Sequence, residues 1–158
     1  MPINPSFIGR SFPGKRPYSV CAEKIAEFAT AIGDPHPVHL DADAARAAGY
    51  PDVIAPPTFP TVIDLTVGGP GLLRQDGLGI DLLRVVHGEQ RFVYTRPIHA
   101  GDVITLTTTF SELTEQRGNE YLTLVTEFVT TNGELVCTGY NTVVSRGTAA
   151  SDAKAEAQ

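Results

Sequence analysis

The sequence predicts an α+β fold in which helices come first and an antiparallel sheet follows. Between about residues 19 and 67 apolar residues recur in helical segments, whereas from about residue 85 they alternate with polar ones in runs rich in Val, Thr, Tyr and Phe. Those later runs are separated by the short stretches HAGD, QRGN and TNGE, whose Gly, Asn and Asp residues suit tight turns. Segregated helices and strands belong to the α+β class rather than to an alternating parallel fold.

Residues 1–18 are punctuated by Pro and Gly and show no period. In YSVCAEKIAEFATAIGD, the residues Ile25, Phe28, Ala29 and Ile32 share one helical face, with Ser19 expected as N-cap and Gly33 as the stop. A second short helix is expected after Asp41 as N-cap, through ADAARAA to Gly49. The stretch PDVIAPPTFPTVIDLTVGG is apolar nearly all round from Phe59 to Val67, which predicts a long buried central helix. Four strands should follow, in VVHGEQRFVYTRPI, GDVITLTTTFSELTEQ, NEYLTLVTEFVTT and GELVCTGYNTVVS, joined by short turns and wrapped around that helix. Such a sheet leaves an edge and a face to cover, so a dimer is expected. Residues 1–146 form a single domain, and residues 147–158, RGTAASDAKAEAQ from Arg146 onward, lack apolar periodicity and are expected to be disordered.

The bulk properties exclude several classes. A net charge of −6 gives no general pull toward nucleic acid or an anionic membrane surface. No apolar run reaches the roughly 18 residues of a membrane span, and the N-terminal stretch lacks the apolar core of a signal peptide, so a soluble cytoplasmic protein is expected. Cys21 and Cys137 stand far apart in a Cys-poor chain and are expected as buried thiols rather than a disulfide.

The densest chemistry lies in GDPHPVHLD, residues 33–41. Asp34 and His39 are five positions apart, which on a regular helix would separate them by roughly 140°. Pro35 and Pro37 forbid a regular helix there, so a stiff loop is expected on which a carboxylate and an imidazole converge, a base and an acid for neutral pH. Two other readings stand beside this one. Asp34 and His39 could serve only turn and packing, or His36 and His39 with Asp34 and Asp41 could ligate a metal, although the spacing and the prolines suit zinc poorly.

GDPHPVHLD resembles the signature of the MaoC-like, or (R)-specific enoyl hydratase, family, written G-D-x-N-P-hydrophobic-H-x-D. The likeness extends through AAGYPDVIAPPTF, residues 47–59, and YTRPIHAGDVITL, residues 94–106, and is nearest to the MaoC dehydratase N-terminal, FAS1-like dehydratase, subgroup of small actinobacterial proteins. The resemblance implies a hotdog fold, an antiparallel sheet around a long central helix. It also implies reversible hydration of trans-2-enoyl thioesters to (R)-3-hydroxyacyl thioesters, on coenzyme A or acyl carrier protein. Asp34 would be the base on the water and His39 would position that water and help deliver the α-proton, with Pro57, Thr58 and Phe59 against the substrate and no metal or cofactor required. The protein would be a homodimer or a heteromer with another MaoC-like subunit.

Two positions depart from the signature. His36 stands where Asn is expected, and IAPPT replaces IAHGM or IAPGM, so Pro57 occupies the glycine position whose N–H helps polarise the thioester. Loss of such a donor costs about two to three powers of ten in rate, unless the Thr58 N–H substitutes. The alternative function is therefore a non-catalytic acyl-binding or stabilising subunit of a heteromeric dehydratase. A third reading, thioesterase, would use Asp64 on the central helix. Of the remaining candidates, GGPG at 68–71 reads as a link, and His87 and His99 as turn or surface residues. Arg74, Arg84, Arg91 and Arg96 read as solvated or paired charges, some available to the phosphates of coenzyme A or an acidic carrier-protein helix.

Overall fold

The computed structural model describes residues 2–68 and 70–149. The N-terminal segment forms a 3-10 turn, Pro5–Phe7, and two short strands, β1 (Ser11–Pro13) and β2 (Tyr18–Ser19), that irregular sequence texture had concealed. Helix α1 (Ala22–Ala31) is capped by Cys21 rather than Ser19, without a side-chain bond, because Ser19 is held in β2. It buries Ile25 and Ala29, while Ile32 lies past its last turn and is exposed. Gly33 ends the helix at φ 74°, a left-handed conformation that glycine adopts without penalty.

Two helices follow in quick succession. The stretch expected to be a stiff loop contains one helical turn, α2 (Pro37–Leu40), because Pro37 falls at a first-turn position where its missing N–H is not needed. Helix α3 (Ala42–Ala47) begins as expected at Asp41, whose Oδ1 accepts the N–H groups of Asp43 at 2.8 Å and Ala44 at 3.4 Å. The central helical segment is shorter and less regular than its apolar run suggests. Helix α4 (Pro60–Ile63) passes into a π turn over Asp64–Gly68, and a 3-10 turn follows at Pro70–Arg74. Gly69, in the GGPG link, lies outside the described residues.

The four long strands are β3 (Val85–Tyr94), β4 (Val103–Gln116), β5 (Asn119–Thr130) and β6 (Leu135–Ser145). The antiparallel sheet has the order β1-β4-β5-β6-β3, with β2 beside β1 on the same edge of β4. The β4–β5 hairpin turns through Arg117 and Gly118, both at positive φ, as a two-residue turn that follows the strand twist requires. Strand β3 does not continue this meander. It pairs with β6 instead, and the connection 95–102 crosses over the end of the β5–β6 hairpin. That connection has its own partners, since the Ala55 N–H donates to the Ile98 carbonyl at 2.7 Å and the Ala100 N–H to the Val53 carbonyl at 3.0 Å.

Alternation along β4 and β5 puts Ile104, Leu106, Phe110, Leu122, Leu124 and Phe128 on the covered face. Phe59, Ile63 and Val67 of the central segment pack against its middle, with Val136 and Cys137 of β6. A second cluster, built from Ile3, Phe7, Leu78, Phe110, Leu122, Leu124 and Val143, fastens the N-terminal segment over the other end. Chain past residue 146 is also placed, with the Gly147 N–H on Asn119 Oδ1 at 3.0 Å and the Ala149 N–H on the Gly118 carbonyl at 3.2 Å; the expected disordered tail otherwise lies outside the described residues, at 150–158. Cys137 is buried as expected, but Cys21 is exposed, and the two are free thiols. No described helix is long and apolar enough to cross a membrane.

Phe59 is fully buried, with the Tyr18 and Phe28 rings edge-on at centroid distances of 6.3 and 5.6 Å. Phe59→Ala should lower unfolding stability by about 3–5 kcal/mol in urea titrations, the range for truncating a well-packed aromatic core residue.

Candidate active site

The ends of α1 and α2 bring Asp34 and His39 together. The Asp34 N–H donates to the Ala29 carbonyl at 2.9 Å, which turns the chain back over the end of α1. At the start of α2, His36 Nδ1 accepts the Val38 N–H at 3.3 Å as an N-cap. One turn of helix then delivers His39, whose Nδ1 lies 2.6 Å from the Ile54 carbonyl oxygen. A carbonyl only accepts, so Nδ1 bears the proton, and Nε2 faces Asp34 Oδ2 at 3.4 Å. The His39 side chain is 7% exposed and that of Asp34 43%, so the imidazole is anchored in the wall and the carboxylate reaches solvent.

Ile54 is held from two sides. Its N–H donates to the Val38 carbonyl at 3.0 Å, and it bridges His99 in antiparallel fashion across the connection between β3 and β4. An open cavity of about 590 Å³ lies beside the pair, within the range of small-molecule sites. Asp34, His36, Val38 and His39 line one side, and Tyr94, Thr95, Arg96 and Pro97 the other, with Ile54, Ala55 and Pro57 between them.

Of the residues predicted to meet substrate, Pro57 lines this cavity, and its carbonyl accepts the Tyr94 hydroxyl at 2.8 Å. Thr58 and Phe59 do not line it. Thr58 is exposed, and its N–H has no acceptor among the described residues, while Phe59 belongs to the core. Burial pushes the Tyr94 phenol upward, so that it stays a protonated donor, and lifts the Cys137 thiol to about 11, far from thiolate formation at neutral pH.

Arg96 was a candidate phosphate ligand, but its five N–H groups are already engaged. Nε and Nη2 donate to Glu134 at 2.9 Å, Nη1 and Nη2 to Asp102 at 2.9 Å, and Nη1 also to the Pro97 carbonyl at 2.9 Å. Burial alone would raise the Asp102 carboxyl, yet the Arg96 fork, the His99 amide and the neighbouring charges outweigh it and hold Asp102 below its usual range. The guanidinium clamps the crossover to the β5–β6 turn. Arg91 lies over the Tyr140 ring at 4.0 Å, and Arg84 donates to the Gly147 carbonyl at 3.3 Å. His87 and His99 lie outside the cavity lining, with His99 Nδ1 2.8 Å from the Ala100 carbonyl. Asp41 is spent on capping α3 rather than directed at the histidines, and among the described residues no cluster of three His, Cys, Asp or Glu is arranged to hold a metal ion.

Asp64 lies apart from this cavity, in a small cleft with Thr61, Gln90 and Asn141 against the sheet. Burial raises its carboxyl above the ordinary value.

A sheet stacked on a short central helical segment, with Asp34 and His39 beside a cavity at the helix-to-sheet margin, is the arrangement that the comparisons with known proteins match. The chain belongs to the family described as "FAS1-like, dehydratase domain region", whose model matches residues 6–139. A UPF0336 protein of Saccharopolyspora erythraea is 47% identical over 149 residues, covering 94% of this chain and 95% of its own. Among solved structures, a MaoC-like dehydratase superposes with a TM-score of 0.80 at 30% identity over 89% of this chain, which spans 42% of that longer chain. The C-terminally truncated HadBC (3R-hydroxyacyl-ACP dehydratase) complex of Mycobacterium tuberculosis gives 0.78 at 28% identity, covering 87% and 96%. The fold is the MaoC-type hotdog fold.

The raised Asp64 carboxyl has a consequence for stability. A folded-state value above the unfolded one means that the native protein holds this proton more tightly, so ionisation costs stability as pH rises through and above the ordinary carboxylate range. Asp64→Asn should therefore melt higher than wild type at neutral pH, and the difference should shrink as pH falls below about 3.9, as read by thermal unfolding at a series of pH values.

Proposed function

We propose that the protein catalyses reversible hydration and dehydration between trans-2-enoyl and (R)-3-hydroxyacyl thioesters, carried on coenzyme A or acyl carrier protein. The observation that supports this reading best is the Asp34–His39 pair, 3.4 Å apart on the wall of an otherwise largely apolar cavity. With its proton on Nδ1, neutral His39 presents a lone pair at Nε2 beside the Asp34 carboxylate. A water between them donates one hydrogen to each and turns its own lone pair outward, toward C3 of a bound enoyl group.

As the water oxygen bonds to C3, Asp34 takes a proton, the C2=C3 electron pair moves toward the thioester carbonyl, and a proton passes from the pair to C2 through His39. Water has then added as OH at C3 and H at C2, and both side chains regain their starting protonation. Dehydration runs through the same groups in reverse. The chemistry needs no metal or redox cofactor. Val38, Ile54, Ala55 and Pro57 supply apolar wall for the acyl chain. Strand β3 ends the sheet with an edge that is unpaired among the described residues, and Val86 is 40% and Val93 47% exposed on it, a surface suited to a second hotdog subunit, of the same chain or of a MaoC-like partner.

Purified protein should hydrate crotonyl-CoA with loss of enoyl absorbance. Asp34→Asn and His39→Ala should each lower kcat by about 10³-fold or more, in the range that removal of a general base gives, with circular dichroism unchanged. Turnover near wild type in either variant would refute the assignment.

A second reading follows from Pro57, which lines the cavity but has no N–H to offer a thioester oxygen. In that reading the chain is the acyl-binding or stabilising subunit of a heteromeric dehydratase. It predicts that the protein alone is inactive but forms a stable complex, active against the same substrates, when co-expressed with a MaoC-like subunit; size-exclusion chromatography with activity assays of each peak separates the two readings.

A further inference from the structure

A side-chain donor census of the cavity singles out one residue. Tyr94 Oη is committed to the Pro57 carbonyl, and Thr95 Oγ1 to the carbonyls of Leu135 and Val136. The five N–H groups of Arg96 are divided among Asp102, Glu134 and Pro97. His39 Nδ1 is committed to Ile54, and its Nε2 faces Asp34, which as a carboxylate only accepts. The other lining side chains, of Val38, Ile54, Ala55, Pro57 and Pro97, are apolar.

His36 remains. Its Nδ1 accepts the Val38 N–H and so has no hydrogen, which places the proton of the neutral ring on Nε2. That Nε2–H has no acceptor among the described residues, and the ring, exposed to solvent, lines the cavity 6.1 Å from the His39 ring, centroid to centroid. We infer that His36 Nε2–H is the substrate-facing side-chain hydrogen-bond donor of this cavity and binds the thioester carbonyl oxygen beside the Asp34–His39 pair. The assignment rests on the proposed acyl-thioester reading. A carbonyl oxygen fits because a neutral donor in a largely apolar cavity, with no free cation among the lining side chains, suits a neutral acceptor that gains negative charge during addition. His36 thereby has two separable duties, capping α2 through Nδ1 and holding substrate through Nε2.

Two substitutions separate them. Serine caps helices well but cannot reach the cavity as the imidazole does, whereas alanine does neither. His36→Ser in the full chain should keep the wild-type melting temperature while kcat for crotonyl-CoA falls about 100-fold, the size expected for loss of one oxyanion donor; His36→Ala should lose both. Wild-type kcat in a folded His36→Ser protein would overturn the inference and leave His36 as a cap alone.

A readout independent of turnover is nitrogen NMR of protein labelled in its histidines, with His36 assigned by its absence from the His36→Ser spectrum. The neutral rings should show His36 protonated on Nε2 and His39 on Nδ1, and saturating butyryl-CoA, which has the carbonyl but no double bond, should shift His36 Nε2. A shift in a protein without hydratase turnover would uphold the binding role while refuting the hydratase reading. An unmoved His36 resonance would overturn the inference even in an active enzyme.

Discussion

The 2.6 Å contact between His39 Nδ1 and the Ile54 carbonyl is the constraint on which the site depends. It joins three pieces of chain that share no regular ladder: the one-turn helix α2, the extended segment 53–55, and the crossover between β3 and β4. Ile54 donates to Val38 as well as accepting from His39, and its neighbours Val53 and Ala55 bond to Ala100 and Ile98. The imidazole is thus fixed by backbone that is itself bonded on both sides. A buried ring with one nitrogen committed in this way has little rotational freedom, and the carboxylate opposite is the one that remains solvated and adjustable. Preorganisation of this kind lowers the reorganisation cost at the moment of reaction.

The crossover needs an equally firm attachment, because it runs across the end of a hairpin instead of pairing along a strand. Arg96 provides it. Its planar fork satisfies Asp102 and Glu134 together, a geometry that a lysine ammonium could not reproduce. Asp102 also accepts the His99 N–H at 3.0 Å, so one carboxylate ties the guanidinium to the tight turn that leads into β4. Arginine beside a cavity invites assignment to an anionic ligand. Here its hydrogen-bonding capacity is exhausted by the fold, and the charge that remains is neutralised by two carboxylates.

Much of this was legible in the sequence because it follows from local rules. The Asp41 cap, the Gly33 stop and the four long strands come from short-range pattern; Asp34 and His39 do converge as expected, but on a helical turn opened by Pro37 and not on the loop that the prolines had suggested. What escaped was set by tertiary bonds. Strands β1 and β2 have no pattern of their own and exist because β4 offers them an edge. The partner of β3 could not be read from a turn signal, since HAGD does turn the chain, but into a crossover rather than a hairpin. The apolar run 59–67 promised a regular helix, yet hydrophobicity reports burial and not the hydrogen-bond period, and the segment opens into a π turn at Asp64. Phe59, placed by resemblance against the substrate, is held in the core by Tyr18 and Phe28.

His36 shows how a departure from a family signature can be structurally consistent. An asparagine at this position can cap a following helix through its side-chain oxygen, and an imidazole can do so through Nδ1. The caps are equivalent, but the remainders of the two side chains are not. The histidine ring extends past the backbone it caps and fixes its remaining proton on the far nitrogen. His39, two residues beyond Pro37, has the opposite tautomer because its near nitrogen meets a carbonyl instead of an amide. The two imidazoles on one cavity wall are therefore held by main-chain bonds of opposite sense, His39 Nδ1 on a carbonyl with its Nε2 beside Asp34, and His36 Nδ1 on an amide with its Nε2 left over. Exchanging those roles would require breaking the α2 cap and the Ile54 contact together, so the polarity of the wall is set by the backbone before any ligand arrives.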